Sequence, residues 1–173
     1  MNNPQSTPAQ PVIEMTGVTV PSLRKPNMVS VKNVNWFVPA GDYWVIVGLE
    51  GSGKSDLLMM TAGLVPPRGG MYQLFGELMP IFEGERLATR LRLGLVFDDG
   101  KLFNNLTLAE NVALPLQYHH SLSNESARDA VAEILELTEL SAWVNSTPGG
   151  LGWSWQKRAA LARAIVMRPE VLL

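Results

Sequence analysis

Gly48-Leu-Glu-Gly-Ser-Gly-Lys-Ser55 constrains this chain more than any other stretch, because it satisfies G-x-x-x-x-G-K-[ST] directly behind an apolar, strand-like run, Tyr43-Trp-Val-Ile-Val47. Closely spaced glycines let a backbone curl until consecutive N–H groups, from about Glu50 to Ser55, converge on one phosphate without interference from side chains. The following Asp56-Leu-Leu-Met-Met-Thr-Ala62 reads as a helix, and its positive N-terminal end would point at the same anion. The expected contacts to a nucleoside triphosphate therefore run through Gly48, Leu49, Glu50, Gly51, Ser52, Gly53, Lys54, Ser55 and Asp56. Lys54 adds a mobile full charge for the outer phosphates. Ser55 supplies a hydroxyl of the kind that ligates Mg²⁺, a small, hard cation that prefers oxygen.

The rest of the composition narrows the setting. With 173 residues, 46% hydrophobic and 17% charged, one globular domain with a single core is expected. A net charge of -2 gives no basic field to draw nucleic acid or anionic lipid, so nucleic acid is not expected as a partner. The absence of cysteine excludes disulfides and thiolate metal sites. No run approaches the roughly 18 apolar residues of a membrane span, and the polar start Met1-Asn-Asn-Pro-Gln does not read as a signal peptide.

Residues 1–11, rich in Asn, Pro, Gln, Ser and Thr, read as a disordered leader. Strands are expected from Val12 to Val20, Val29 to Val38, Tyr43 to Val47 and Gly69 to Phe75. The run from Leu91 to Phe97 is almost wholly apolar, as in a parallel strand buried on both faces. The first helix should end near Gly63, before Pro66-Pro67. Beyond Phe103 the character changes to helix, over 106–118 and 125–140, with apolar residues at steps of three and four through Ala127, Val131, Ile134, Leu135 and Leu140. A last helix runs from about Ser154 to Met167, and Val171-Leu-Leu173 reads as the start of a buried strand.

Taken together, four stretches resemble the ATP-binding subunit of ABC transporters. They are 41–58 with Ala62-Gly-Leu64 and Pro66; Leu95-Val-Phe-Asp-Asp-Gly-Lys-Leu-Phe103 with Leu106-Thr-Leu-Ala-Glu-Asn-Val112; Pro148-Gly-Gly-Leu-Gly-Trp-Ser-Trp-Gln-Lys-Arg158; and Ala160-Leu-Ala-Arg-Ala164 with Arg168-Pro-Glu-Val-Leu-Leu173. The resemblance implies an α/β phosphate-loop NTPase: a RecA-like, mainly parallel sheet, an N-terminal antiparallel portion and an inserted helical subdomain at about 104–168. It further implies Mg-ATP as ligand, a second ATP-binding subunit in a homodimer or mixed dimer, an integral-membrane transporter subunit as partner, and a place on the cytoplasmic face of the membrane.

The departures from that family pattern are as specific as the matches. At the signature motif, Gly152, Trp153, Ser154 and Trp155 replace Ser-Gly-Gly-Gln, so two indoles stand where the pattern has little bulk. The indoles either pack within the helical subdomain or stack on a base; Ser154 can still donate to an anion from a helix N-terminus. Asp98 takes the place of the family's glutamine and, with Ser55, is the expected metal ligand; the alternative is a solvated loop aspartate beside Asp99. No aromatic stands near Val20 to Leu23, where the family stacks adenine. Trp36 is the substitute, against a core role. Asp56 replaces a usual threonine and is expected to repel a nearby phosphate. The family's metal-orienting aspartate, catalytic glutamate and switch histidine would follow Leu173, so the chain reads as a fragment that binds nucleotide without turning it over. A nucleotide-responsive regulatory module with a repurposed signature is the second reading.

Overall fold

The computed structural model describes residues 11–25, 27–79 and 86–173, in two compact units that divide after Arg90. The expected leader falls outside the described residues except for Pro11, which opens the first strand.

The first unit is built on an antiparallel sheet of order β2-β1-β3-β4, from β1 (Pro11–Pro21), β2 (Val29–Pro39), β3 (Gly69–Leu74) and β4 (Glu77–Leu78). Alternation along β1 buries Ile13 and Met15, then Val18 and Val20. The change of parity is made at Gly17, where the pairing with β2 and with β3 shifts register and φ is +61°. Gly70 of β3 passes so close there that a Cβ would lie 2.5 Å from the Gly17 carbonyl carbon. A side chain at Gly70 would therefore push the strands apart. Helix α1 (Lys54–Thr61) buries Met60 and Thr61, and the buried Tyr72 hydroxyl of β3 donates to the Thr61 carbonyl at 2.6 Å. That bond ties the far end of α1 to the sheet. Burial without a countercharge pushes the Tyr72 phenol well above its ordinary pKa, so it stays a donor.

Residues 43–47 differ from expectation. They form no strand, and Tyr43 and Val47 are 91% and 87% exposed. An apolar run becomes a strand only when neighbours take up its N–H and C=O groups, and no described strand pairs with it.

α2 (Leu87–Leu91) stands at the division. The second unit holds α3 (Leu108–His120), α4 (Asn124–Leu137) and α5 (Trp153–Ile165) around Leu108, Val112, Val131, Leu135, Leu140 and Ala162. β5 (Leu93–Gly94) and β6 (Val171–Leu172) pair in parallel over two residues each, but they are not the buried strands expected: of residues 91–97 only Gly94 is buried, and Leu172 is 48% exposed, because no described strand flanks the pair. Bonds from Val96 N–H to the Leu173 carbonyl and from Leu173 N–H to Gly94, both 2.9 Å, extend the pairing. α3 begins in a reciprocal cap. The Thr107 hydroxyl accepts from Glu110 N–H, while the Glu110 carboxylate accepts from Thr107 N–H at 2.7 Å. Next to it the fully buried Asn111 accepts from Phe103 N–H at 2.8 Å and donates to the carbonyls of Phe103, Leu106 and Thr107. One side chain thus fixes the whole 103–107 turn.

Asn111→Leu should destabilise the second unit by about 2 kcal/mol or more, because it orphans several buried backbone groups at once; the shift in urea midpoint measures it. The Thr107 hydrogen bonds hold the Glu110 carboxyl below its ordinary pKa. A lowered folded-state pKa gives stability that is present above the unfolded value and lost as pH falls through the folded one. Thermal melts between about pH 5 and about pH 3 should lose less stability in Glu110→Gln than in the parent.

Candidate functional site

The loop that leads into α1 owes its shape to Gly53. Its φ of +91° lies in the left-handed region, and a Cβ there would come 2.6 Å from Val31 Cγ2 and 3.1 Å from Ser30 Cβ. Only glycine meets both conditions. The loop consequently lies against β2 as it turns into the helix. Leu57 N–H is the one that bonds back to the Gly53 carbonyl, at 2.9 Å, so the N–H groups of Lys54, Ser55 and Asp56 are not used by the helix and mark its positive end. Ser52 N–H closes a turn onto the Leu49 carbonyl at 3.2 Å. Gly48, Leu49, Glu50, Gly51, Ser52 and Ser55 are all exposed. Lys54 Nζ folds over the loop and donates to the carbonyls of Gly48 and Leu49 at 2.7 and 2.8 Å. These are weak anchors for an ammonium, which an anion in the loop would outcompete with full charge. Lys54 is thus drawn back over Gly48 and Leu49, and Ser55 follows it in the first turn of α1.

Asp56 is not directed as expected. Its Oδ1 accepts from Leu23 N–H at 3.1 Å and its Oδ2 from the Ser30 hydroxyl. Neither partner was legible, since they stand 33 and 26 residues away. Trp36 is half-buried on β2 with its ring edge-on to Trp44, centroids 6.3 Å apart, rather than in the buried core.

The remaining candidates belong to the second unit. Asp98 is 95% exposed and its Oδ1 accepts from Lys157 Nζ at 2.7 Å. The loop that carries it is fastened to α5 by Arg163, which donates to the carbonyls of Lys101 and Gly100 at 2.8 Å each. Burial pushes the Arg163 guanidinium below its ordinary pKa. Gly152 is the N-cap of α5, so Trp153, Ser154 and Trp155 occupy its first turn. The two indoles part company there. Trp155 packs on Trp143, centroids 5.8 Å apart, with the Arg158 guanidinium above it. Trp153 is 63% exposed, and Lys157 Nζ lies 3.7 Å from its ring centroid. Lys157, which joins Trp153 to Asp98, was missed; its place four residues after Trp153 was the available signal. Gln156 donates to the carbonyls of Pro148 and Leu151, closing the turn before the helix.

For a metal, the donor set is sparse. Among the described residues no three His, Cys, Asp or Glu side chains cluster to hold an ion. A hydroxyl such as Ser55 beside a triphosphate fits Mg²⁺, which keeps waters and phosphate oxygens as ligands.

The sequence profile of the ABC transporter family matches residues 31–173. The chain is 34% identical over 143 residues, 82% of its length, to the probable ribonucleotide transport ATP-binding protein mkl of Mycobacterium leprae, of which it covers 41%. It is 32% identical over 165 residues, 95% of its length, to the intermembrane phospholipid transport system ATP-binding protein MlaF of Escherichia coli, of which it covers 61%. The chain therefore spans between two fifths and three fifths of these relatives. Among solved structures it is similar to the ATP-binding cassette MJ0796, a dimeric post-hydrolysis state bound to ADP and Pi. The TM-score is 0.82 and the identity 30%, over 92% of this chain and 72% of that one. Profile, relatives and structural neighbour agree: the chain belongs to the ATP-binding part of the ABC transporter family.

Proposed function

We propose that the protein binds Mg-ATP and couples its hydrolysis to the work of a separate membrane subunit. The observation that carries this reading is the left-handed turn at Gly53, which sets the first amides of α1 beside Lys54 and Ser55. Phosphoryl transfer to water depends mainly on positioning and charge stabilisation. Lys54 supplies charge to the outer phosphates. Ser55 and Asp98 are the proposed Mg²⁺ ligands, and the cation itself offsets charge on the phosphate oxygens. These roles serve the binding and charge-stabilising half of that work.

The partners follow the relatives' names: one is a transport ATP-binding protein, another serves phospholipid transport between membranes. A homodimer or mixed dimer agrees with the dimeric cassette. No helix among the described residues is long and apolar enough to cross a membrane. The second unit offers an apolar cavity of about 340 Å³ between α3 and α4, lined by Ala113, Val131 and Leu135 with Arg128 at its edge. Attachment at the cytoplasmic face is part of the same proposal.

One observation favours the second reading, a nucleotide-responsive regulatory module. Trp153 is an exposed indole at the head of α5, where a partner could cover it.

Equilibrium titration with a fluorescent ATP analogue tests the leading reading. Lys54→Ala should weaken uptake roughly 10- to 100-fold, the loss of a charge-assisted contact of about 1.5–3 kcal/mol. Gly53→Ala should do the same without any loss of charge, because about 1–2 kcal/mol of left-handed strain adds to the clash with Val31. Saturable uptake that both variants share with the parent would refute it. Trp153→Gly in the whole protein separates the two readings. A raised phosphate-release rate is expected of a transporter subunit with a weakened signature, whereas an unchanged rate with lost partner binding would establish the module.

A further inference from the structure

The apolar cavity of about 340 Å³ between α3 and α4 lies wholly within the second unit, and nucleotide binding makes no use of it. Its room comes from small side chains. Ala109 and Ala113 stand one turn apart on α3, Ala132 joins them from α4, and Val131, Leu135 and Val144 complete the wall. That wall is already fixed. Leu108 N–H donates to the Ser146 carbonyl at 2.9 Å and Ala109 N–H to the Val144 carbonyl at 3.1 Å, so the segment carrying Val144 is tied to the head of α3. A preformed apolar hollow of this size sits at the low end of the range for small-molecule sites, about 300–1,000 Å³. It suits one acyl chain and is small for a two-chained lipid.

Two charged side chains line the cavity, and they differ in what they are free to bind. The Glu110 carboxylate is engaged, since its Oε2 accepts from the Thr107 N–H at 2.7 Å and from the Thr107 hydroxyl at 2.8 Å. Arg128 is exposed and makes no ion pair among the described residues. The head of α3 offers nothing to an anion, because the N–H groups of Thr107, Leu108, Ala109 and Glu110 all have acceptors. We propose that this cavity binds a single-chain carboxylate, a free fatty acid, with its acyl chain between α3 and α4 and its head on the Arg128 guanidinium. The planar fork of that side chain matches both oxygens of a carboxylate. Burial of the chain supplies most of the affinity, and Arg128 together with Glu110 sets the sign of charge that is accepted. The site stands apart from the nucleotide-binding reading and does not depend on it.

Calorimetric titration of the 173-residue chain with sodium decanoate, kept below the concentration at which it forms micelles, tests the site. Decyltrimethylammonium serves as a cation of equal chain length. Decanoate should bind saturably with the helical circular dichroism unchanged, and the cation about tenfold more weakly. Arg128→Lys keeps the charge and should hold decanoate within about threefold of the parent. Arg128→Glu should reverse the order of the two ligands. Ala132 is exposed, so Ala132→Trp closes the cavity from its rim without entering the core. That variant should lose saturable uptake of decanoate while its melting temperature stays within about 2 °C of the parent's. A parent chain without saturable uptake, equal binding of the two ligands, or an unreversed order in Arg128→Glu would each overturn the proposal. Uptake that survives Ala132→Trp, or that is seen only as the helices melt, would overturn it as well.

Discussion

The nucleotide-binding end of this chain depends on one close approach, where the Gly53 backbone turns left-handed beneath the Ser30 and Val31 side chains of β2 and leaves no room for a Cβ. Without that turn, α1 would not begin where its unused amides and Lys54 share one side of the loop. The contact is also what makes β2 part of the site. A loop that merely carried glycines could curl in many ways, and the sterics at Val31 remove most of them. Further along, the Tyr72 hydroxyl on the Thr61 carbonyl stops α1 from pivoting at its other end. The helix is therefore held at its far end by one buried hydrogen bond, and at its start by the sterics at Gly53 together with the bonds that the Asp56 carboxylate accepts from Leu23 and Ser30.

Much of this was legible because backbone motifs encode their own geometry. The need for glycine at Gly53 could be read directly, since such a requirement is local. The helices of the second unit were legible for a similar reason: apolar steps through Ala127, Val131, Ile134 and Leu135 describe one buried face, and those residues line the core. The antiparallel strands were found, but their parity was not. Alternation along β1 reverses at Gly17, and only the pairing with two neighbours shows which residues turn inward. Residues 43–47 failed for a related reason. Their apolar run states that they tolerate burial, while strand formation depends on hydrogen-bonding partners located elsewhere in the chain.

What sequence could not disclose is where long polar side chains reach. Asp56, read alone, is a negative charge next to a phosphate site. Read with Leu23 and Ser30, it is a hydrogen-bond acceptor spent on the hairpin. Asp98 changes meaning in the same manner. Its partner Lys157 lies 59 residues away and on a helix whose first turn had already drawn attention for its tryptophans. Both departures from the family pattern are thereby connected: the residue in the glutamine position and the leading indole of the altered signature share one ammonium.

The strength of that connection decides what it permits. Asp98 is almost wholly exposed, and an ion pair in such a setting is worth about 0.2–1 kcal/mol, with salt reducing it further. The cation–π contact of Lys157 with Trp153 adds about 0.5–1 kcal/mol at an exposed site. Neither amount fixes the Asp98 side chain firmly against exchange with solvent. Arg163 is different: it is half-buried and spends two bonds on the backbone at Gly100 and Lys101, so it fixes the loop itself. The loop is consequently firm while the Asp98 side chain upon it is only loosely held.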